Sequence, residues 1–123
     1  MISTSLADKM SAIVGKEWFL DTPEDLATYS YDAFLPEFKP DGVIIPGSTE
    51  EISKIMKVAN QERIYITPRG AGTNICGGSV AKRGGLIMAF HRMSKILEID
   101  PDNMCAVVQP GVVYADLEIA LMP

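Results

Sequence analysis

From Pro68 to Ser79 the chain reads Pro-Arg-Gly-Ala-Gly-Thr-Asn-Ile-Cys-Gly-Gly-Ser, directly after the apolar stretch Ile64 to Thr67. A strand has to give way to open loop here, and the loop's glycines restrict what can surround it. Glycine enters positive φ freely and lacks the Cβ that would hold a ligand off the main chain, so successive N–H groups can turn inward around an anion. The segment reads as a cradle for two linked phosphates, which implies a nucleotide or dinucleotide ligand. Two familiar phosphate loops do not fit it. The G-x-G-x-x-G dinucleotide fingerprint would need glycine where Ile75 stands. A G-x-x-x-x-G-K loop beginning at Gly72 would need lysine where Gly78 stands.

Helical and strand patterns alternate around the loop. Leu6, Met10, Ile13 and Val14 recur at helical spacing ahead of Gly15, predicting a helix over 4–14. Thr22 before Pro23, Glu24 and Asp25 marks a second helix start, with the helix running to about Tyr29. Pro36 and Pro40 then mark an irregular crossing. Val43 to Ile45, between Gly42 and Pro46, reads as a short buried strand. Ser48 and Glu51 form a capping box, followed by Ile52, Ile55, Met56 and Ala59 on one helical face. With Ile64 to Thr67 as the next strand, this order predicts a right-handed parallel βαβ unit whose second strand delivers the glycine loop at its carboxyl end. Leu86 to Phe90, Ile96 to Ile99 and Cys105 to Val108 read as further strands, the last two a hairpin about Asp100-Pro101-Asp102-Asn103. A final helix carries Val113, Leu117, Ala120 and Leu121 on one face, and Val113 supplies no capping side chain.

The run Pro-Arg-Gly-x-Gly-Thr-x-x-x-Gly-Gly at Pro68 to Gly78 resembles the FAD-binding domain of the FAD-linked oxidases of the p-cresol methylhydroxylase and vanillyl-alcohol oxidase type. Tyr29-Ser30-Tyr31-Asp32, Gly42 to Glu51, Met93 to Asp100 and Val107 to Val112 are similar to segments of that family in the same order and spacing. The resemblance runs from about Thr22 to the last residue. Within the family it is similar above all to the flavin subunits of bacterial glycolate oxidases and to D-lactate dehydrogenases, which oxidise 2-hydroxy acids. The resemblance implies an α+β fold, the first subdomain of this type of FAD-binding domain: a small mixed sheet containing a parallel βαβ unit, flanked by helices. It implies a helical and irregular lead-in over 1–41 and the amino-terminal half of the FAD-binding domain over 42–123. In such relatives a second glycine-rich segment and a substrate-binding cap domain follow, so this stretch alone is expected to be incompetent for catalysis.

By the same resemblance, the main-chain N–H groups of Gly70, Ala71, Gly72, Thr73 and Asn74 bind the FAD diphosphate, with side-chain donors from Thr73 and Asn74. Pro68 opens the loop, and Gly77 and Gly78 admit the cofactor close to the backbone. Arg69 has two readings, a phosphate partner or a structural salt bridge that fixes the loop. Pro46 also has two: it packs against the adenine, as the resemblance implies, or it simply terminates the first strand. Some family members attach flavin covalently through a histidine in this loop. Thr73-Asn74 stands there instead, so noncovalent FAD is expected. No residue qualifies as a catalytic base, and none is assigned; the one histidine, His91, sits on a turn with no placed partner. Cys76 is expected to be a small buried side chain, and both cysteines to be reduced thiols without metal-ligand spacing. The seven methionines read as pliable core filler.

A net charge of −5 argues against a nucleic-acid partner, because phosphate-backbone binding needs a clustered basic face. No apolar run is long enough to cross a bilayer, and Met1 to Leu6 lack the features of a signal peptide, so a cytoplasmic location is expected. The resemblance implies a small 2-hydroxy acid as substrate of the complete enzyme and, in some relatives, an iron–sulfur partner subunit. The contrasting function class is a non-enzymatic half-domain or partner subunit that completes a flavoprotein assembly. For such a chain an unpaired sheet edge and an uncovered flavin face favour a homodimer.

Overall fold

Local chemistry sets most of the element boundaries in a computed structural model that describes residues 2–33 and 36–122. Met1, Phe34, Leu35 and Pro123 lie outside the described residues. Helix α1 (Thr4–Val14) starts where Ser3 Oγ accepts from Leu6 N and stops at Gly15, whose φ of 97° a side chain would resist. A 3₁₀ turn at Lys16–Trp18 leads into a two-residue strand, β1 (Phe19–Leu20), which the sequence pattern did not signal. Thr22 caps α2 (Pro23–Thr28), with Pro23 in the first turn. Strand β2 (Gly42–Ile44) feeds α3 (Thr49–Glu62). Ser48 Oγ accepts from Glu51 N at 3.2 Å, while the Glu51 carboxylate takes the N–H of Gly47 at 2.7 Å, so the expected box closes one residue earlier than its usual form.

Strands β3 (Ile66–Arg69) and β4 (Leu86–Ala89) complete a mixed sheet in the order β1-β2-β4-β3, with β1 antiparallel and the other three parallel. Thus β2 and β3 run parallel as the βαβ pattern predicts, but they do not pair: β4 lies between them. Two features account for this. The run Leu-Ile-Met-Ala of β4 is buried throughout, as a central strand covered on both faces requires. Strand β3 extends through Pro68, which cannot donate to a ladder and is confined to an edge.

Side chains alternate across the sheet into two cores. Ile44, Leu86 and Met88 meet Leu6, Met10 and Val14 of α1 and Ile55 and Ala59 of α3. Val43, Ile45, Ile87 and Ala89 meet Leu26 of α2 and Ala81. Met56, expected on the buried face of α3, is 47 % exposed, because Ile55 and Ala59 with the half-buried Ile52 already fill the stripe facing the sheet. Beyond Met93 lie the antiparallel hairpin of β5 (Ile96–Asp100) and β6 (Cys105–Val108), bulged at Leu97, and α4 (Tyr114–Leu121). The hairpin is as expected, and Val113 gives α4 no side-chain cap bond. The apolar face expected of α4 is not buried. Methionine is core filler only at Met10, Met88 and Met93; Met56, Met104 and Met122 are exposed, and Met1 lies outside the described residues. Among the described residues no helix is long and apolar enough to cross a membrane, and no cluster of metal-ligating side chains occurs.

Candidate functional site

Because β2, β4 and β3 are parallel, the segments that leave their carboxyl ends emerge at one edge of the sheet: Ile45-Pro46-Gly47, Phe90-His91-Arg92 and the loop from Gly70 to Ser79. Open α/β sheets place ligands at such an edge. Among the described residues no main-chain N–H from Gly70 to Ser79 donates to another protein group, so a row of donors is left for solvent or ligand.

The loop glycines divide into two kinds. Gly72 and Gly77 have φ of 72° and 69°, and the Arg69 guanidinium occupies the space a Cβ on Gly72 would need. The fold itself requires glycine at Gly72. Gly70 and Gly78 have no such φ; a Cβ on Gly70 would meet nothing within 4 Å, and one on Gly78 only Asn74 Nδ2 at 3.7 Å. Neither backbone conformation nor packing explains why these two lack side chains. Bare backbone beside open space and unused N–H groups fits a diphosphate that approaches the main chain closely.

The loop is tied down at both ends and in its middle. Arg69, at the end of β3, is buried; its Nη1 donates to the carbonyl of Tyr31 at 2.8 Å and lies 3.4 Å from that of Ser79. Its guanidinium lies 5.6 Å from the centre of the Tyr29 ring. Burial pushes the Tyr29 phenol pKa up, partly opposed by the Arg69 charge. Asn74 Nδ2 donates to Asp32 Oδ2 at 2.7 Å, and the buried Ser79 hydroxyl donates to Asn74 Oδ1 at 2.7 Å with Asp32 Oδ2 3.2 Å away. Ala33 N donates to the Asn74 carbonyl at 3.2 Å. Arg69 therefore fixes the loop through main-chain carbonyls, where the sequence reading offered a salt bridge or a phosphate. The Asn74 amide is engaged within the protein, whereas Ala71 and Thr73 are exposed.

Elsewhere at this edge, Pro46 is fully buried just beyond the end of β2. Pro68 is exposed within β3. Cys76, expected to be buried, is exposed on the loop, because the loop stands clear of both cores. Arg92 braces the neighbouring segments: Nη1 donates to the Ile45 carbonyl at 2.8 Å, lies 3.5 Å from Glu51 Oε2, and the guanidinium stacks 4.4 Å from the Trp18 ring centre. Sequence reasoning assigned no role to Asp32, Ser79 or Arg92. The positions of Asp32 and Ser79, 47 residues apart, left only the segment Tyr29 to Asp32 as a signal. A cavity of about 610 Å³ lies between the β5–β6 turn and the end of α4 and is lined by none of the loop residues. The glycine loop thus sits on an open face. A cavity of about 320 Å³ reaches Pro68 and Gly78 from the β3 edge.

Residues 40–123 match the profile of the family described as FAD binding domain. Over 119 residues the chain is 43 % identical to glycolate oxidase subunit GlcD of Bacillus subtilis (strain 168), covering 95 % of this chain and 25 % of that protein. It is 35 % identical over 121 residues to a D-lactate dehydrogenase of Archaeoglobus fulgidus, covering 94 % and 26 % respectively. Among solved structures, p-cresol methylhydroxylase with substrate bound aligns with a TM-score of 0.82 at 27 % identity, covering 95 % of this chain and 24 % of that one. The chain spans about a quarter of the length of the curated relatives it matches. The expected α+β architecture, a small mixed sheet with parallel strands, is the one found. Sheet topology, glycine loop and matched region converge, and the chain belongs to the FAD binding domain family, in the fold of p-cresol methylhydroxylase and related FAD-linked oxidases.

Proposed function

We propose that this chain holds the diphosphate of a noncovalently bound FAD at Pro68 to Ser79, as part of a flavin-dependent 2-hydroxy-acid oxidoreductase of the glycolate oxidase or D-lactate dehydrogenase kind. One observation carries the reading: unused N–H groups from Gly70 to Asn74 lie beside two glycines, Gly70 and Gly78, that the fold does not need. The names of the relatives supply the substrate class. FAD, when bound, accepts the hydride in such oxidations. The N–H groups of Gly70, Ala71, Gly72, Thr73 and Asn74 donate to diphosphate oxygens, and the exposed Thr73 hydroxyl adds a donor. Gly70 and Gly78 let the cofactor reach the main chain, and buried Arg69 places a positive charge behind the loop. With net charge −5, anion recognition is local to this loop. Residues 42–123 carry the cofactor surface and 1–41 lead into it. The base that takes the substrate's hydroxyl proton and the groups that hold its carboxylate are supplied by further protein surface, so this stretch alone does not turn over.

Titration of the 123-residue chain with FAD, followed by flavin fluorescence, tests the reading. A cofactor held from one side is expected to bind in the micromolar range, about 4 kcal/mol weaker than a nanomolar site. Gly70→Val and Gly78→Val should each abolish binding while leaving the fold intact. Binding that survives both substitutions, or no binding to the wild-type chain at millimolar FAD, refutes the assignment. The exposed apolar residues of β5, β6 and α4 favour a second reading, in which the chain completes a flavoprotein assembly with an iron–sulfur or other partner subunit, or as a homodimer. A monodisperse monomer in light scattering counts against it.

A further inference from the structure

We infer that Asp32 is a positioning residue whose carboxylate, acting through Asn74 and Ser79, holds the glycine loop in the conformation that meets phosphate. The inference rests on the reading of Pro68 to Ser79 as the diphosphate site. A loop whose N–H groups make no internal bonds has no ladder to order it, and its glycines leave it more freedom than any other residue type would. Order has to come from side chains. Three attachments supply it, and all lead to residues 31–33. Arg69, at the entrance, binds the Tyr31 carbonyl; Asn74, in the middle, receives Ala33 N on its carbonyl and gives its amide to Asp32; Ser79, at the exit, lies within reach of Asp32 Oδ2.

A carboxylate beside an anion site opposes the ligand's charge. Here Asp32 Oδ2 accepts from Asn74 Nδ2 at 2.7 Å, a charge-assisted bond of the stronger kind, and lies 3.2 Å from the Ser79 hydroxyl, which donates to Asn74 Oδ1. The Asn74 amide is thereby oriented, its nitrogen toward Asp32 and its oxygen toward Ser79. A loop ordered before the ligand arrives loses less entropy on binding, which strengthens binding without any direct contact.

The test compares the wild-type 123-residue chain with Asp32→Ala, Asp32→Asn and Ser79→Ala. Nitrogen-15 relaxation of the Gly70 to Gly78 amides without FAD reads loop order, and FAD titration reads its consequence. Order parameters are expected near about 0.85 in wild type and Asp32→Asn, and below about 0.6 in Asp32→Ala. FAD should bind about 10- to 100-fold more weakly to Asp32→Ala, about 3- to 10-fold to Ser79→Ala, and within about 3-fold of wild type to Asp32→Asn, which keeps an acceptor oxygen. A purely structural role would lower the melting temperature and leave loop order and FAD affinity of the folded protein unchanged; that result overturns the inference. Should Asp32→Ala fail to fold, Ser79→Ala decides by the same two readouts. A wild-type chain that binds no FAD overturns the cofactor reading instead, and the loop order parameters alone then decide the role of Asp32.

Discussion

The sheet of β1 to β4 and the segment made of β5, β6 and α4 are both built from apolar runs, and they use them in opposite ways. Val43, Ile44, Leu86 and Ile87 are wholly buried. Leu97, Met104, Tyr114, Ile119 and Met122 stand in solvent. A strand is buried when it has neighbours on both edges and layers on both faces; β4 has all of these, with α1 and α3 on one side and α2 on the other. Among the described residues the β5–β6 hairpin pairs only with itself, and two strands alone cannot enclose a core. Its attachment to the sheet domain is mainly polar and local: Gly111 N donates to the Met93 carbonyl at 2.8 Å, and a Cβ on Gly111 would collide with the Phe90 carbonyl. Apolar composition therefore does not by itself locate a core; enclosure does.

The sharpest way to break this contrast is to remove side-chain volume from each region and measure urea denaturation. Ile55→Ala empties a site with no exposure and should cost about 2–5 kcal/mol. Ile119→Ala, on exposed α4, should stay within about 0.5 kcal/mol. Equal costs would mean that α4 is packed in solution. The next largest effect is expected within the glycine loop. Gly72→Ala forces a side chain into positive φ against Arg69 and should cost about 1–3 kcal/mol. Gly70→Ala should change stability by less than about 0.5 kcal/mol. A large loss of stability at Gly70 would show that the fold, and not a ligand, requires that glycine.

Helix starts sharpen the comparison further. Ser48→Ala removes the acceptor for Glu51 N at the head of α3 and should cost about 1 kcal/mol in thermal melts. Val113→Ser gives α4 the cap it lacks and should raise its helicity, seen in amide chemical shifts, with a gain of about 0.5–1 kcal/mol. The smallest effect is one of pH. The Asn103 side chain and backbone N–H hold the Asp100 carboxyl below its ordinary range. A depressed pKa means that the turn's support is complete above the ordinary carboxylate value and fades as pH falls through the folded one. Acidification below about pH 4 should therefore shift the Asn103 amides before it disturbs the sheet, and Asn103→Ala, which keeps only the backbone N–H bond, should weaken that response. Because the Asp100 carboxyl sits on a solvent-screened turn, global stability should barely change.

Several of these features were readable residue by residue. Thr22 and Ser48 announce helix starts because a capping oxygen acts within three residues. The Asp100–Asn103 turn is equally local. Local pattern could not show that Met56 lies outside the buried stripe, since a helix has more apolar residues than its packed face requires. Nor could it show that Cys76 is exposed, because loop burial depends on what passes over it. In the candidate site, the glycines and their neighbours were legible as a motif. The anchor at Asp32 and the bond from Arg69 to the Tyr31 carbonyl were not, since they join segments 38 to 47 residues apart.

The amino-acid sequence alone determined where helices begin, which of the longer apolar runs are strands and where a glycine-rich loop interrupts them, because propensity, capping and positive φ are decided over a few neighbouring residues. Tertiary structure alone decided that β4 separates β2 from β3, that Arg69 serves the loop from beneath, and that Gly70 and Gly78 face open space while Gly72 does not. Those outcomes depend on enclosure and long-range hydrogen bonds, which exist only once distant segments share a surface.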